Sequence, residues 1–118
     1  DAYVVYFNIT GPNGTQKDFA EYYVDKYTRD VYASNNYAVK LAIEQSPNIK
    51  RIYDRYPHTE GEPLLIKSET QNGHSYIWEL RLIANGVEVA VFRFDAVKEK
   101  LLSEQINIYS PQVNIRTG

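Results

Sequence analysis

Residues 64–95 read LLIKSETQNGHSYIWELRLIANGVEVAVFRFD, and this stretch decides the fold. Two Asn-Gly pairs, Asn72-Gly73 and Asn85-Gly86, separate three runs rich in β-branched and aromatic residues. Asn and Gly tolerate the positive φ angles that tight hairpin turns require. The stretch therefore predicts an antiparallel meander with strands over residues 64–71, 74–84 and 87–95. In the middle strand Tyr76, Trp78, Leu80 and Leu82 fall on one face. Ile77, Glu79, Arg81 and Ile83 fall on the other, and their charges mark that face as the more solvated one.

Upstream, residues 2–9 are β-branched and aromatic and predict a strand. Gly11-Pro12-Asn13-Gly14 predicts a turn. Thr15 followed by Asp18 has the form of a helix start. Ala20, Tyr23, Val24, Tyr27 and Val31 recur at spacings of three and four, which predicts a helix over residues 16–32. Glu21, Asp25, Lys26 and Arg29 lie off that stripe. Ser34, Asn35 and Asn36 interrupt it and supply a cap for a second helix, over 36–45, with Tyr37, Ala38, Leu41 and Ala42 on one side. Ser46-Pro47 opens a third helix, because Ser caps and Pro is tolerated in a first turn. Ile49, Ile52, Tyr53 and Tyr56 form its apolar face, and Pro57 ends it. Residues 58–63 read as a polar loop. Downstream of the meander, residues 97–105 read as a charged connector carrying Leu101 and Leu102. Residues 106–116 read as a last extended segment broken by Pro111.

Helices grouped together and strands grouped together argue an α+β fold, with the helices on one face of a curved antiparallel sheet. At 118 residues the chain suits a single domain, 1–118, with one core. A net charge of −2 with scattered Lys and Arg gives no concentrated basic footprint, so nucleic acid is not an expected partner. The absence of cysteine excludes thiol catalysis, disulfides and Cys-based zinc sites. There is no methionine either, which suggests a fragment or a processed form; no stretch reaches the ~20 apolar residues of a membrane span, so any anchor is expected outside this sequence. Eleven of the sixteen aromatic residues are Tyr. Tyr suits half-buried positions, and this reads either as a core with wet edges or as a protein-binding face.

Motifs for chemistry are sparse. His58 and His74 both fall in or beside predicted turns and read as exposed imidazoles. Glu60 and Glu62 lie near His58, but no His-x-x-x-His or Glu-x-x-His spacing occurs. Ser75 adjoins His74, yet successive strand residues point to opposite faces and make no dyad. Gly11-Pro12-Asn13-Gly14 lacks the Lys and Ser/Thr of a phosphate loop. Asp25 and Asp30 read as solvated charges of a helix surface, and Arg51 and Asp54 as a helical pair. The sequons Asn8-Ile9-Thr10 and Asn13-Gly14-Thr15 are short enough to arise by chance. No catalytic residue, cofactor or metal is expected.

Three stretches carry a family resemblance. The helix predicted over Tyr22-Tyr23-Val24-Asp25-Lys26-Tyr27-Thr28-Arg29-Asp30-Val31-Tyr32 resembles a "Tyr-Val-x-x-Arg-Glu-x-Tyr" helix, with Arg29, Asp30 and Tyr32 at matching places and Tyr23 upstream on the same helix. Phe92-Arg93-Phe94 resembles the aromatic-x-aromatic of a strand that precedes a charged connector. Asn107-Ile108-Tyr109-Ser110-Pro111-Gln112-Val113 aligns with an "Asn-Pro-x-Gly-Phe-x-Val" segment. Together they are similar to the periplasmic domain of the eighth VirB protein, an inner-membrane component of bacterial type IV secretion systems. In the third stretch Ile108 replaces Pro, Ser110 replaces Gly and Pro111 replaces an aromatic. That marks either a divergent member with an altered pairing surface or an ordinary strand entry with an edge Pro.

The resemblance implies a nuclear-transport-factor-two-like fold and a non-enzymatic scaffold on the periplasmic face of the inner membrane. It implies other secretion components as partners and a homodimer contact at Asn107, Ile108, Tyr109, Ser110 and Pro111. Two rivals stand beside it. One is a small enzyme or ligand-binding protein on the same fold, with a pocket lined by Trp78, Tyr53 and Phe92. The other is a surface domain of a different family with a similar element order.

Overall fold

The computed structural model describes residues 2–12, 14 and 16–107, with only the backbone described at residues 16 and 17. Strands β1 (Ala2–Thr10), β2 (Gln16–Asp25) and β3 (Val31–Ala33) form an antiparallel sheet in the order β1-β2-β3. Helices α1 (Asn35–Gln45) and α2 (Pro47–Arg55) follow. Strands β4 (Glu60–Thr70), β5 (Gly73–Ala84), β6 (Val87–Asp95) and β7 (Lys100–Ile106) make a second antiparallel sheet in that order. The fold is thus α+β, mostly strand, with two sheets and two helices.

Side-chain alternation holds the meander as its sequence predicts. On β5, Tyr76, Trp78, Leu80, Leu82 and Ala84 are all buried. Ala90, Phe92 and Phe94 stand opposite Leu82, Leu80 and Trp78 on β6 and are buried with them. Ala38, Ala42, Ile49 and Ile52 bring the helices onto this layer, and Tyr32 and Ala33 bring β3. Each fully buried Ile, Leu or Phe contributes about 1.5–3 kcal/mol of transfer free energy. The outer face carries ion pairs instead: Arg81 with Glu88 at 2.7 Å and Arg93 with Glu79 at 2.8 Å.

The β5–β6 turn is the expected one. Asn85 (φ 53°) and Gly86 (φ 78°) form the two-residue loop between Ala84 and Val87, both left-handed. The β4–β5 turn differs by one residue. Thr70 pairs with Gly73, so Gln71-Asn72 is the loop and Gly73 (φ 135°) follows it. The helix caps are as read: Ser34 Oγ accepts the Tyr37 N–H, and Ser46 Oγ accepts the Ile49 N–H. Ser46 is buried and also donates to Glu104 at 2.9 Å. Replacing Ser46 by Ala should cost about 1–2 kcal/mol by urea denaturation, the usual loss for a helix cap. A loss below the error of the measurement would mean that Ser46 does not hold α2.

Four expectations are corrected. Residues 16–32 are not a helix but β2, a turn and β3. The Tyr- and Val-rich segment satisfies period two as well as three-and-four. The partner decides: β1 pairs with β2 from Ala2↔Asp25 to Thr10↔Gln16, so nine extended residues gain a ladder that a helix would not offer. Residues 97–105 are not a connector. Asp95 Oδ1 accepts the N–H groups of Val97 and Lys98 in a turn, and β7 then pairs with β6. The ladder of β4 begins at Glu60, inside the expected polar loop. In α2, Asp54 pairs with Lys50 at 2.7 Å, while Arg51 donates to Asn48. Asn13 and Thr15 lie outside the described residues, as does the expected extended segment beyond Asn107.

Candidate interaction surface

Strand β1 carries no charge and no proline: its residues are Ala, Tyr, Val, Val, Tyr, Phe, Asn, Ile and Thr. Among the described residues it is the outer strand of its sheet, hydrogen-bonded on one side only, to β2. Tyr3, Val4, Val5, Tyr6, Phe7 and Ile9 are each 37–60% exposed. Alternation puts Tyr3, Val5, Phe7 and Ile9 on one face and Val4 and Tyr6 on the other. Apolar surface is therefore open on both faces of one strand, which is unusual for a soluble surface. Aromatic contacts stiffen the hairpin: Tyr6 stacks on Phe19 at 5.9 Å, and Phe7 meets Tyr22 edge-on at 6.4 Å.

The hairpin and α1 enclose an open groove of about 650 Å³. Tyr6 and Phe19 form its strand side, Val39 and Ile43 its helix side, and Tyr53 reaches in from α2. Polar groups stand around it already engaged. Lys40 bridges Asp18 at 3.1 Å and Glu44 at 2.8 Å, and Glu21 accepts from Asn36. Such a groove offers shape and apolar contact. Of the pocket residues expected from sequence, Tyr53 alone lines it; Trp78 and Phe92 are buried in the core between sheet and helices.

A second cluster centres on Asp25. Asp25 is not a solvated helix charge but only 6% exposed. Its carboxylate accepts the N–H groups of Tyr27 (2.8 Å) and Thr28 (3.0 Å), Lys67 Nζ (2.8 Å) and the Tyr76 hydroxyl (3.2 Å). Tyr76 also lies 2.9 Å from Asp30 Oδ2 and 2.8 Å from Thr28 Oγ1. The bond from Lys67, joined by those two N–H groups, holds the Asp25 carboxyl well below the usual carboxylate range, although burial opposes it. Burial, reinforced by Asp30 and Asp25, pushes the Tyr76 phenol up to about 12 against the bond with Thr28. Asp25 therefore stays ionised and Tyr76 stays protonated near neutral pH. Groups held so firmly in one state make a tether between the sheets rather than an acid–base pair.

The sign of the linkage follows. A carboxyl depressed in the folded state stabilises above its unfolded value of about 4 and loses that contribution as pH falls through the folded value. The Asp25→Asn variant should be less stable at neutral pH and show a shallower loss below about pH 4 than the parent. Thermal melts across pH measure this, and superposable acid limbs would contradict it.

The residues matched to the family helix are only partly brought together. Tyr23 and Tyr32 pack edge-on at 5.8 Å, and Tyr32 stacks on Tyr76 at 4.3 Å, whose hydroxyl reaches Asp30. Arg29 stands apart, exposed in the β2–β3 turn at φ 67°. Asn107 donates its N–H to the Val89 carbonyl and its side chain to Glu88. Ile108, Tyr109, Ser110 and Pro111 lie outside the described residues. His58 is exposed; His74 sits on β5, half-buried, 3.8 Å from Asp30. Among the described residues no three His, Asp or Glu side chains converge as a metal site. No helix among them is long and apolar enough to cross a membrane. Compared with protein-family models, with curated proteins and with solved structures, the chain matches none.

Proposed function

We propose that this chain is a non-enzymatic assembly domain that works through its β1–β2 hairpin. The observation that carries the reading is the uncharged edge strand with apolar side chains exposed on both faces. Exposed aromatic surface of this kind suits protein contacts, where Tyr and Phe supply area at low entropic cost. The specific form proposed is the periplasmic domain of a bitopic inner-membrane protein of a type IV secretion system, anchored by a segment outside this sequence. Its partners are other channel components.

Two features support that form. A helix pair is followed by a meander whose one face packs on the helices, as in a curved, nuclear-transport-factor-two-like sheet. Phe92-Arg93-Phe94 lies on a strand, with both aromatics buried. The Tyr22–Tyr32 match lends nothing, because that segment is not helical.

Deleting the gene in its host tests the reading. Contact-dependent transfer of DNA or protein should be lost and return on complementation. Unchanged transfer would contradict it.

A second reading rests on the groove beside α1. Its apolar walls at Phe19, Val39, Ile43 and Tyr53 suit a small apolar ligand. Fluorescence titration with an apolar dye, competed by Val39→Trp, separates the two readings.

A further inference from the structure

Four strands stand at sheet edges among the described residues, and three of them are guarded. An open strand edge is a template for pairing, and proteins blunt it with charge, proline, brevity or a cover. β3 is three residues long, and its Ala33 N–H is taken by the Ala96 carbonyl. β4 carries Pro63 with Glu60, Glu62, Lys67 and Glu69. β7 carries Lys100 and Glu104, and its start is tied to the α1–α2 junction. Gln45 closes the Leu101 N–H and the Glu99 carbonyl, and Ser46 and Asn48 hold Glu104. β1 alone is long and bears neither charge nor proline. Among the described residues, then, three edges are guarded and the edge of β1 is the one open to pairing.

We infer that the occupant is a second copy of this chain, its β1 running antiparallel to the first about a two-fold axis at Tyr6. This rests on the reading of the hairpin as the working surface. The argument for a second copy is self-complementarity. With Tyr6 opposite Tyr6, Tyr3 meets Ile9 of the second copy and Val5 meets its Phe7, while Val4 meets Asn8. Aromatic against β-branched is the favoured cross-strand pairing. No like charges are opposed, because β1 has none, and nothing on it asks for a charged partner. The two three-stranded sheets would join into one six-stranded sheet, and such a contact is isologous and closes on itself.

Six half-exposed apolar side chains per copy set the scale. They bound the buried surface at roughly 1,000 Å² in total, at the low end for a specific interface. An interface of that size makes a concentration-dependent dimer.

The chain has no cysteine, so introduced thiols report without background. Opposed residues of an antiparallel pair have Cα atoms about 4.5–5.5 Å apart, within disulfide reach. Under mild oxidation Tyr6→Cys should crosslink to itself. Val4→Cys alone and Asn8→Cys alone should not, because each lies roughly 13 Å from its own copy. An equal mixture of those two should crosslink. Sedimentation of the parent should show a monomer–dimer equilibrium that Val4→Lys shifts to monomer, with its near-ultraviolet spectrum unchanged.

A parent that stays monomeric into the submillimolar range overturns the inference, as does crosslinking independent of position. If the parent is monomeric while folded hairpin variants still lose transfer, the assembly reading stands and self-pairing alone falls.

Discussion

Replacing Phe92 by Ala is expected to lower the free energy of unfolding by about 3–5 kcal/mol, the loss seen when a buried aromatic leaves a cavity. Phe92 is 1% exposed, faces Leu80 across the β5–β6 ladder, and belongs to the layer on which Ala38, Ala42, Ile49 and Ile52 pack. The small alanines of α1 let its backbone come close, and they leave few side chains able to collapse into a void. In a domain whose whole stability is about 5–15 kcal/mol, such a loss removes roughly a fifth or more. Urea denaturation should show a lower midpoint at an unchanged slope. A loss below about 1.5 kcal/mol would mean that Phe92 is not enclosed as described.

Trp78→Ala is expected to cost as much and to act on the join between the two sheets. Trp78 stands on β5, but its Nε1–H donates to the Ala33 carbonyl of β3 at 2.7 Å, and its ring meets Tyr23 of β2 at 6.2 Å. Truncation removes about 3–5 kcal/mol of packing. Trp78→Phe separates the hydrogen bond from the packing. It keeps most of the apolar volume and leaves a buried carbonyl unpaired, for about 1–3 kcal/mol. The join predicts a further effect. Amides of β2 and β3 should lose hydrogen-exchange protection in Trp78→Ala more than those of β5 and β6. Uniform loss across both sheets would contradict the tether.

These two residues also show what the sequence makes legible. The face shared by Tyr76, Trp78, Leu80 and Leu82 follows from alternation alone. So does the Asn85-Gly86 turn, because the backbone angles it needs belong to those residue types. The helix starts at Ser34 and Ser46 are local for the same reason, since a cap acts over three residues.

What was misread depends on partners distant in the chain. Ala20, Tyr23, Val24, Tyr27 and Val31 fit a helical stripe, and only the waiting edge of β1 makes the segment a strand. β7 has a weak pattern because much of it is exposed, and an edge strand needs little apolar signal. Asp25 becomes a buried anchor through Lys67 and Tyr76, 42 and 51 residues away, which no local window joins. The run Asp25-Lys26-Tyr27-Thr28 did hold a clue. An Asp two and three residues before free N–H groups favours a turn over a helix interior.

The bare edge of β1 was legible as composition but not as exposure. Its residues read as a strand, and nothing local announces that only one side is paired among the described residues. That exposure is what the proposed function rests on.

The most direct measurement is complementation in the deleted host with a hairpin allele carrying Val4→Lys and Phe7→Lys. Both positions are more than half exposed, at 60% and 53%, so the fold should survive, and a melt of the purified variant checks that it does. The account predicts a protein that folds and accumulates like the parent yet fails to restore transfer, while Arg81→Ala on the outer face of the other sheet restores it. Full restoration by the folded hairpin allele would contradict the claim that this chain works through β1.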